Sequence, residues 1–561
     1  MKSDICPAYL RQNIIGVDAP FCTPFGQRLM LYGDYTASGR TLSFIERYLM
    51  KLQRHYANTH TEDDMTGRSM TRLLHSGEET IKNCLNAGED YRIINIGTGA
   101  TGAINKMQQI LGVYLPPATR KSIEENSDVD FAELKKKSPV VFVGPYEHHS
   151  NEISWRDGLC EIAEVRMDAN GHIDLAHLEE LLQKPEFQNR KKIGSFSAAS
   201  NVTGLISPVH EIAALLHKYD ALALFDYAAS APYVEINMQP EGSTPEHNTS
   251  LDAVFISPHK FLGGPGSSGV VVFHKSLYNT HLPPTVSGGG TVSYVAEHMH
   301  DFFDDIEERE KAGTPGVLQI LRAALCFKVK DEIGVDEIAR IEHQWLKKAF
   351  AVWNPNELIE VLGDLDINNR VGIVSFNIKT KQGKYLHPKF VTVLLNDLFG
   401  IQSRAGCSCA GPYGHRLLHI DEKTSESYRE LIQKGFHGIK PGWCRIGFHY
   451  VMDEADVDFI VKAVEFIAKY GENFLPWYDF CLKEACWKHI KDTNDCPELN
   501  LDDAFVENDN ANSNPVPAGL RRGLYAQFLT EAKGWAEKGK DLPHRKTNYF
   551  DEVCHLNQFL V

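Results

Sequence analysis

Features that mark membrane, secreted or nucleic-acid-binding proteins are missing from this sequence. No apolar run approaches the 18 residues of a membrane-spanning helix, and the start MKSDICPAYLRQ lacks the apolar segment of a secretory signal. The chain carries 58 basic and 74 acidic residues, a formal charge of -16, which argues against a surface made for phosphate backbones or anionic membranes. These absences predict a soluble, cytoplasmic protein with no nucleic-acid or membrane partner.

The twelve cysteines lack the spacing of a disulfide scaffold and contain no C-x-x-C pair, as expected for a protein of a reducing compartment. One close pair, Cys407 and Cys409, stands apart from the others. Apolar residues are abundant at 43%, which is ample for a core. The length of 561 residues predicts roughly two to four domains.

Polar side chains follow two short apolar runs that are typical of buried strands. Asp226 comes directly after residues 222–225, and the segment Ser257-Pro258-His259-Lys260 comes after residues 253–256. Ligands of an open α/β sheet bind beyond the carboxyl ends of the strands, so these side chains are predicted to share one pocket. The glycine-rich stretch 261–269 then allows close approach of the backbone to a ligand.

An acid at a strand end, followed by Ser-x-His-Lys and a Gly-Pro turn, resembles the pyridoxal phosphate enzymes of aminotransferase class V, in particular the cysteine desulfurase and selenocysteine lyase-like group. The resemblance implies that Lys260 forms the Schiff base with the cofactor aldehyde and that Asp226 pairs with the pyridinium nitrogen. It also implies that Ser257 and His259 hold the phosphate. The alternative is that Asp226 and Lys260 are ordinary loop charges.

The implied fold is an α/β fold of type I, with a mostly parallel seven-stranded sheet flanked by helices and a smaller α+β C-terminal domain. The expected domains are an irregular N-terminal arm (1–30), a large cofactor domain (31–320), a small domain (321–470) and an extension of unknown role (471–561). Residues 115–138 are polar and are predicted to be a solvated insertion. One long charged helix is expected from about 320 to 350.

Further family motifs occur in order along the chain and imply more cofactor contacts. A glycine-rich turn that opens a helix suits a phosphate, and Ala100 and Thr101 fall on the phosphate-binding pair of the family; a turn that needs glycine only for geometry is the alternative. His148, in a Glu-His-His-x-Asn string, would lie over the pyridine ring and can pass protons. Asn201 would hydrogen-bond the phenolic oxygen of the cofactor. No metal site is predicted, because the histidine pair has no acidic or cysteine partner at ligand spacing.

One segment implies a second subunit. The string that contains Thr314 resembles the family segment that crosses to the neighbouring subunit and supplies a threonine to its phosphate. The chain is therefore expected to form a homodimer with shared active sites.

The substrate contacts are implied by three other motifs. Arg445 resembles the arginine that binds the substrate carboxylate, for which a guanidinium fork is suited. Asn58 belongs to a Tyr-x-Asn-x-His motif that ends at His60. Arg404 opens a loop that resembles Arg-x-Gly-x-x-Cys, and this alignment places Cys409 on the persulfide-forming cysteine. The alternative interpretations of Cys407 and Cys409 are that they form a redox or metal-binding pair, or that they are small buried hydrophobic residues.

The function implied is removal of sulfur or selenium from L-cysteine or selenocysteine, giving alanine and an enzyme persulfide that a sulfur-acceptor protein could take up. Two departures leave another interpretation open. Thr61 stands where the sulfur-mobilising members of the family often have an arginine. Ala229 stands where the family often has a glutamine or histidine that reaches the phenolic oxygen of the cofactor. A different class V aminotransferase or lyase, acting on another amino acid with no sulfur nucleophile, would use the same scaffold. A non-catalytic sulfur carrier is disfavoured because Lys260 and Asp226 are intact.

Overall fold

The computed structural model describes residues 5–59, 61–97, 99–491, 500–501, 515–543, 556 and 558–560. His60 and parts of the predicted C-terminal extension lie outside the described residues. The helices are α1 (Pro7–Asn13), α2 (Ser43–Gln53), α3 (Met65–Cys84), α4 (Gly99–Ile110), α5 (Pro117–Asn126), α6 (Phe131–Lys137), α7 (Ile153–Arg156), α8 (Leu175–Leu182), α9 (Val209–Lys218), α10 (Ile306–Arg309), α11 (Val317–Ile333), α12 (Val335–Trp353), α13 (Pro388–Phe399), α14 (Gly411–Leu417), α15 (Glu422–Gln433), α16 (Glu454–Tyr470) and α17 (Ala518–Lys540).

The strands are β1 (Pro20–Thr23), β2 (Gly26–Leu29), β3 (Leu31–Tyr32), β4 (Tyr91–Ile96), β5 (Val140–Val143), β6 (Glu161–Glu164), β7 (Lys192–Ser197), β8 (Ala221–Asp226), β9 (Ala253–Ile256), β10 (Gly269–His274), β11 (Val292–Val295), β12 (His300–Phe302), β13 (Ile359–Val361), β14 (Ile373–Ile378), β15 (Tyr385–Leu386), β16 (Ile401–Gln402), β17 (Arg404–Gly406), β18 (Trp443–Gly447), β19 (Tyr478–Cys481), β20 (Cys486–His489) and β21 (Phe559–Leu560). No helix in the described part of the chain is both long and apolar enough to cross a membrane.

The chain divides into two compact units. The central unit is Ala37–Glu337, and the terminal unit joins Met1–Thr36 to Ile338–Val561. The first residues of the chain therefore belong to the same unit as its last two fifths.

A seven-stranded sheet with the order β4-β10-β9-β8-β7-β5-β6 forms the core of the central unit. The five strands from β9 to β6 run parallel to their neighbours, and β10 is antiparallel to both β9 and β4. Strands β5 and β9 are buried at every residue, as expected for a parallel sheet that is covered on both faces. The predicted fold class, a mostly parallel α/β sheet, is confirmed.

Helix α4 packs on this sheet through an apolar face. Its residues Ala103, Ile104 and Met107 are fully buried in one cluster with Phe255 of β9 and Val271 of β10. At about 25 cal/mol per Å² of apolar surface, such a cluster stabilises the position of the helix strongly. The N-terminus of α4 is thereby fixed beside the end of β9.

The terminal unit contains an antiparallel sheet with the order β13-β14-β18-β17. Helix α13 begins at Pro388 and ends at Gly400, which adopts φ +74°, so its two ends follow the usual preferences for proline and glycine. Helix α16 begins with a capping box formed by Asp453 and Asp456. Strand β3 pairs in parallel with β16, joining Leu31 to Ile401.

Two predictions about local structure were wrong. The first 30 residues are not irregular, because Pro7 occupies the first turn of α1 and Pro20 begins β1, positions where proline is tolerated. The long helix expected from 320 to 350 is interrupted at Gly334, which adopts φ +82° between α11 and α12.

The predicted solvated insertion at 115–138 forms α5 and α6, which are largely exposed and bury Phe131.

Candidate active site

A cavity of about 190 Å³ lies in the central unit, beyond the carboxyl ends of its parallel strands. It is lined by Ala100, Thr101, His148, Ser150, Ser197, Ala199, Asn201, Asp226, Ala228, Ala229, Ser257, His259 and Lys260. The structure therefore brings together around one cavity the cofactor-binding residues predicted from the sequence, with the exception of Thr314.

Asp226 and Lys260 stand at the ends of neighbouring strands. Asp226 is the last residue of β8, and Lys260 closes a short 3₁₀ turn that follows β9. The Asp226 side chain is buried, and its Oδ1 accepts a hydrogen bond from the Ala228 N–H at 2.8 Å. Burial raises the pKa of Asp226, and the Ala228 hydrogen bond and the charge of Lys260 oppose that rise. A cation in the cavity would therefore stabilise the ionised carboxylate further.

The other end of the cavity is formed by the first turn of α4 and the residues after β9. The Ala100 N–H donates a hydrogen bond to the Ser257 hydroxyl at 2.9 Å. Gly99 has φ +60°, and a Cβ at this position would lie 2.7 Å from His259 Cε1 and 2.8 Å from Ser257 Oγ. Only glycine fits there without displacing both side chains. The first turn of α4 therefore lies against Ser257 and His259 of the cavity, and a helix N-terminus is a position where an anion is favoured.

His259 is a neutral hydrogen-bonding group at physiological pH. Burial, and to a lesser degree the charge of Lys260, lower its pKa to about 4. Neutral imidazole can donate one ring N–H, which is compatible with the predicted role in holding a phosphate.

The backbone around Lys260 is held by close glycine packing. A Cβ on Gly264 would lie 1.9 Å from the Pro258 carbonyl oxygen, so the chain folds tightly beneath the turn that carries Lys260. The Gly39 N–H donates to the His259 carbonyl at 2.9 Å. These contacts fix the position of the lysine backbone.

A buried polar network that sequence reasoning missed supports His148. The Glu147 carboxylate accepts hydrogen bonds from the Ser197 N–H at 2.8 Å, the Ser197 hydroxyl at 2.7 Å and the Asn151 amide at 2.7 Å. Burial raises the pKa of Glu147 to about 7. The network ties the loop after β5 to the end of β7 and so orients His148, whose Nδ1 accepts the Ser150 N–H at 3.2 Å. The sequence feature that could have indicated this network is the four-residue spacing between Glu147 and Asn151.

Asn201 and Ala229 form another part of the cavity wall. Asn201 is buried, as its predicted contact with a cofactor requires. Ala229 presents only a methyl group where the family often has a glutamine or histidine, so this departure lies at the cavity itself.

Thr314 and Asn58 contact each other, with 3.4 Å between the Asn58 amide nitrogen and the Thr314 hydroxyl. Both residues are exposed, and neither lines the cavity. The role of Thr314 at a neighbouring subunit and that of Asn58 with substrate stay predictions.

In the terminal unit, Arg445 is held by a carboxylate that the sequence argument did not assign. Asp34 Oδ1 lies 3.1 Å from Arg445 Nη2, and Asp34 Oδ2 lies 2.9 Å from Arg404 Nε. The Arg445 side chain is 5% exposed, whereas that of Arg404 is 54% exposed. Arg404 and Arg445 are direct partners across β17 and β18, so one carboxylate bridges both guanidinium groups.

Cys409 lies at the tip of the loop between β17 and α14. Ser408 and Cys409 adopt φ +52° and +56°, a left-handed pair that turns the chain sharply. The Trp443 indole N–H donates to the Ser408 hydroxyl at 3.1 Å, which anchors the turn. Cys409 is exposed and Cys407 is partly buried, so the loop presents Cys409 to solvent.

The chain is similar to known proteins over most of its length. The family model described as aminotransferase class V matches residues 31–460. A probable cysteine desulfurase of Halalkalibacterium halodurans is 26% identical over 392 residues, which covers 69% of this chain and 85% of that protein. A probable cysteine desulfurase of Staphylococcus aureus is 26% identical over 411 residues, covering 72% and 88% of the two chains.

Solved structures show the same fold. An apo cysteine desulfurase of Thermococcus onnurineus matches with a TM-score of 0.63 at 21% identity, covering 84% of this chain and 100% of that chain. The cysteine desulfurase CsdA of Escherichia coli matches with a TM-score of 0.56 at 17% identity, covering 77% and 93%. The family match ends at residue 460, before hairpin β19–β20 and helix α17.

Proposed function

This chain belongs to the aminotransferase class V family, whose members depend on pyridoxal phosphate, and from that premise we propose that it is a cysteine desulfurase. It takes L-cysteine, or selenocysteine, and releases alanine while the sulfur or selenium passes to an enzyme cysteine. The observation that carries the proposal is Cys409, exposed at the tip of an anchored turn that Arg404 precedes.

The cavity residues fit pyridoxal phosphate. The first turn of α4, which begins at Gly99 beside Ser257 and His259, suits a phosphate. The buried Asp226 carboxylate suits a protonated ring nitrogen. Lys260 would hold the cofactor covalently. The remaining contacts are assigned to His148 on the ring face, to Asn201 at the phenolic oxygen, and to Ala100, Thr101, Ser257 and His259 at the phosphate.

When bound, pyridoxal phosphate supplies an electron sink that stabilises negative charge at the α-carbon of an amino acid. The residues of this chain do the rest. The Arg445 guanidinium would bind the substrate carboxylate through charge-assisted hydrogen bonds, with Asp34 fixing its orientation. Lys260 would take the α-proton at its Nζ.

Cys409 would act as the sulfur nucleophile. Its thiolate forms an S–S bond with the substrate sulfur while the substrate Cβ–S bond breaks, and Cβ gains a proton to give alanine. In sum, one cysteine and one enzyme thiol become one alanine and one enzyme persulfide. Burial lowers the pKa of His415, so Arg404, which is always protonated, is better suited than this histidine to supply positive charge near the loop.

Mass spectrometry after incubation with L-cysteine tests the assignment. We expect a gain of one sulfur on Cys409 and equimolar alanine release. Cys409→Ser should reduce alanine release by orders of magnitude, since a hydroxyl does not replace a thiolate as an attacker on sulfur. Cys407→Ser, two residues away in the same loop, is the matched control and should retain turnover. Sulfur on Cys407 alone would reverse the assignment.

A second candidate function is favoured by the methyl group of Ala229 in the cavity wall and by Thr61. A class V aminotransferase or lyase for another amino acid would use the same cavity without a sulfur nucleophile. In that case Cys409→Ser leaves turnover of the true substrate intact, and no sulfur is gained on either cysteine. A screen of amino acids for alanine, sulfide and oxo-acid release separates the two.

A homodimer is part of the proposal. Hairpin β11–β12 exposes more than half of the surface of Tyr294, Val295 and Met299, and such apolar exposure is typical of surfaces that pack against another chain. Thr314 is also exposed, as its predicted role at a neighbouring phosphate requires. Light scattering should give a dimer, and Val295→Asp should shift it toward monomer; a monomeric wild-type protein at micromolar concentration would count against the dimer.

The exposed Cys409 supports a further partner, a protein that accepts its persulfide sulfur. The ten cysteines that the structure describes are free, which supports a reducing compartment such as the cytoplasm.

A further inference from the structure

Hairpin β19–β20 brings two cysteines together outside the segment that the family model matches. Cys481 is the last residue of β19, Cys486 is the first of β20, and the two are direct partners across the antiparallel pair. The four-residue loop between them contains Glu484 and ends at Ala485, which adopts φ +55°. This left-handed residue returns the chain so that both thiols and the carboxylate come to one place.

The three side chains have the separation of ligands around one ion. A sulfur of Cys481, a carboxylate oxygen of Glu484 and the sulfur of Cys486 all lie within 4.8 Å of one another. The Cys486 sulfur lies 3.4 Å from Glu484 Oε2. Two ligands of a tetrahedral zinc ion, at bond lengths of about 2.3 Å to sulfur and 2.1 Å to oxygen, are separated by about 3.5 to 3.8 Å. Small side-chain rotations therefore bring all three atoms to bonding distance.

The backbone that carries these ligands is anchored on both sides of the loop. The Leu482 carbonyl accepts the Gly438 N–H at 2.7 Å, and the Ala485 carbonyl accepts Lys389 Nζ at 2.8 Å. Behind the cysteines, Phe480 stacks on Trp487 with 4.6 Å between ring centroids. A hairpin held in this way pays little ordering entropy when it binds an ion.

The donor set selects the ion. Thiolates favour soft or borderline metals such as Cu(I) and Zn(II), whereas a carboxylate oxygen suits zinc and not Cu(I). Both cysteines are partly exposed, so the site is open to solvent and leaves a fourth position for water. A disulfide between Cys481 and Cys486 is the competing outcome, but it leaves Glu484 without a role.

We propose that Cys481, Glu484 and Cys486 form a zinc site at the tip of hairpin β19–β20. The ion joins the two strands at the loop end of the hairpin and holds the loop against α13, where Lys389 already contacts the Ala485 carbonyl. This site is independent of the proposed desulfurase activity, because its residues follow the family segment and do not line the cavity of the central unit.

Zinc titration of the reduced, full-length protein loaded with its cofactor tests the site. Metal-free protein is mixed with zinc chloride in competition with a chromogenic chelator, and bound metal per chain is measured after gel filtration. We expect one zinc per chain. Cys481→Ser and Cys486→Ser should each weaken binding at least about tenfold, and Glu484→Gln should weaken it less. Cys22→Ser, a change of an exposed cysteine in β1, should bind as the wild type does.

Cobalt(II) in place of zinc gives a second readout that does not depend on activity. Visible ligand-field bands of a tetrahedral thiolate site should appear in the wild type and in Glu484→Gln, a variant that keeps both thiols, and should be lost in Cys481→Ser. The proposal is overturned if no stoichiometric metal binds, if Cys481→Ser binds as the wild type does, or if Cys407→Ser abolishes binding. A Cys481–Cys486 disulfide that persists in protein purified in the presence of a reductant would also overturn it.

Discussion

Replacing Arg445 probes the proposed substrate contact with little disturbance of the fold. Arg445 is almost completely buried and shares Asp34 with Arg404. In Arg445→Ala, Asp34 keeps its 2.9 Å contact with Arg404 Nε and is not left as a lone buried charge. We therefore expect a loss of stability of about 1 to 2 kcal/mol, below the 3 to 5 kcal/mol that follows when a buried ion pair loses one partner.

The catalytic cost should be larger than the structural one. A guanidinium fork that binds a carboxylate contributes charge-assisted hydrogen bonds, whose loss costs about 2 to 4 kcal/mol of binding. That range corresponds to a fall of about 30-fold to 900-fold in kcat/KM for L-cysteine. Arg445→Lys keeps the charge but not the planar fork, so we expect about a tenfold fall.

Alanine release at several L-cysteine concentrations measures kcat and KM, and thermal unfolding measures stability. Arg429→Ala, an exposed arginine on α15, is the control and should change neither. If Arg445→Ala retains kcat/KM within about threefold of the wild type while binding its cofactor, the assignment of Arg445 to the substrate carboxylate is wrong.

Three further predictions concern the cofactor cavity and the pH dependence of stability. Lys260→Ala should abolish the borohydride-reducible link between chain and cofactor, and labelling of another lysine in the wild type would refute the assignment. Gly99→Ala should weaken binding of pyridoxal phosphate at least about tenfold, because the added Cβ meets Ser257 and His259. The control, Gly97→Ala, should bind the cofactor normally, because a Cβ there meets nothing within 4 Å. Equal affinities of the two variants would show that close packing at Gly99 does not matter for cofactor binding. Burial lowers the pKa of His449 to about 3, so this histidine is neutral in the folded protein but takes up a proton in the unfolded chain below about pH 6.5. Urea unfolding at pH 7.5 and at pH 5 should therefore show that the wild type loses about 2 kcal/mol more stability on acidification than His449→Phe does. Equal losses would refute the assignment.

Local signals in the sequence were sufficient for the strands and helices that position the cavity. Residues 253–256 are a short, wholly apolar run with polar residues directly after it, and they form a strand with those bounds. Helix α13 was predictable at both ends, because Pro388 and Gly400 have different and strong positional preferences. The residues grouped around the cavity follow from the rule that parallel strands end at one edge of the sheet.

What the sequence did not show depends on partners that are distant along the chain. Asp34 was not assigned a role from the sequence, because its contacts with Arg404 and Arg445 come from residues about 400 positions later. Glu147 looked like part of a loop because nothing local indicates that Ser197 would donate two hydrogen bonds to it. The N-terminal arm was wrongly predicted to be irregular for a different, local reason. Proline breaks periodicity in the middle of an element, but Pro7 and Pro20 begin α1 and β1, where proline is tolerated.

The pairing of β3 with β16 imposes an order on biosynthesis. Leu31 and Ile401 are joined in one parallel pair, so a ribosome that adds about 5 to 20 residues per second needs roughly 20 to 75 s to supply the second strand after the first. The central unit, Ala37–Glu337, is complete before that point and can fold during translation. Leu31, which is buried in the finished protein, lacks this pairing throughout the interval. The segment that contains β3 therefore reaches its final pairing only after synthesis has passed residue 401.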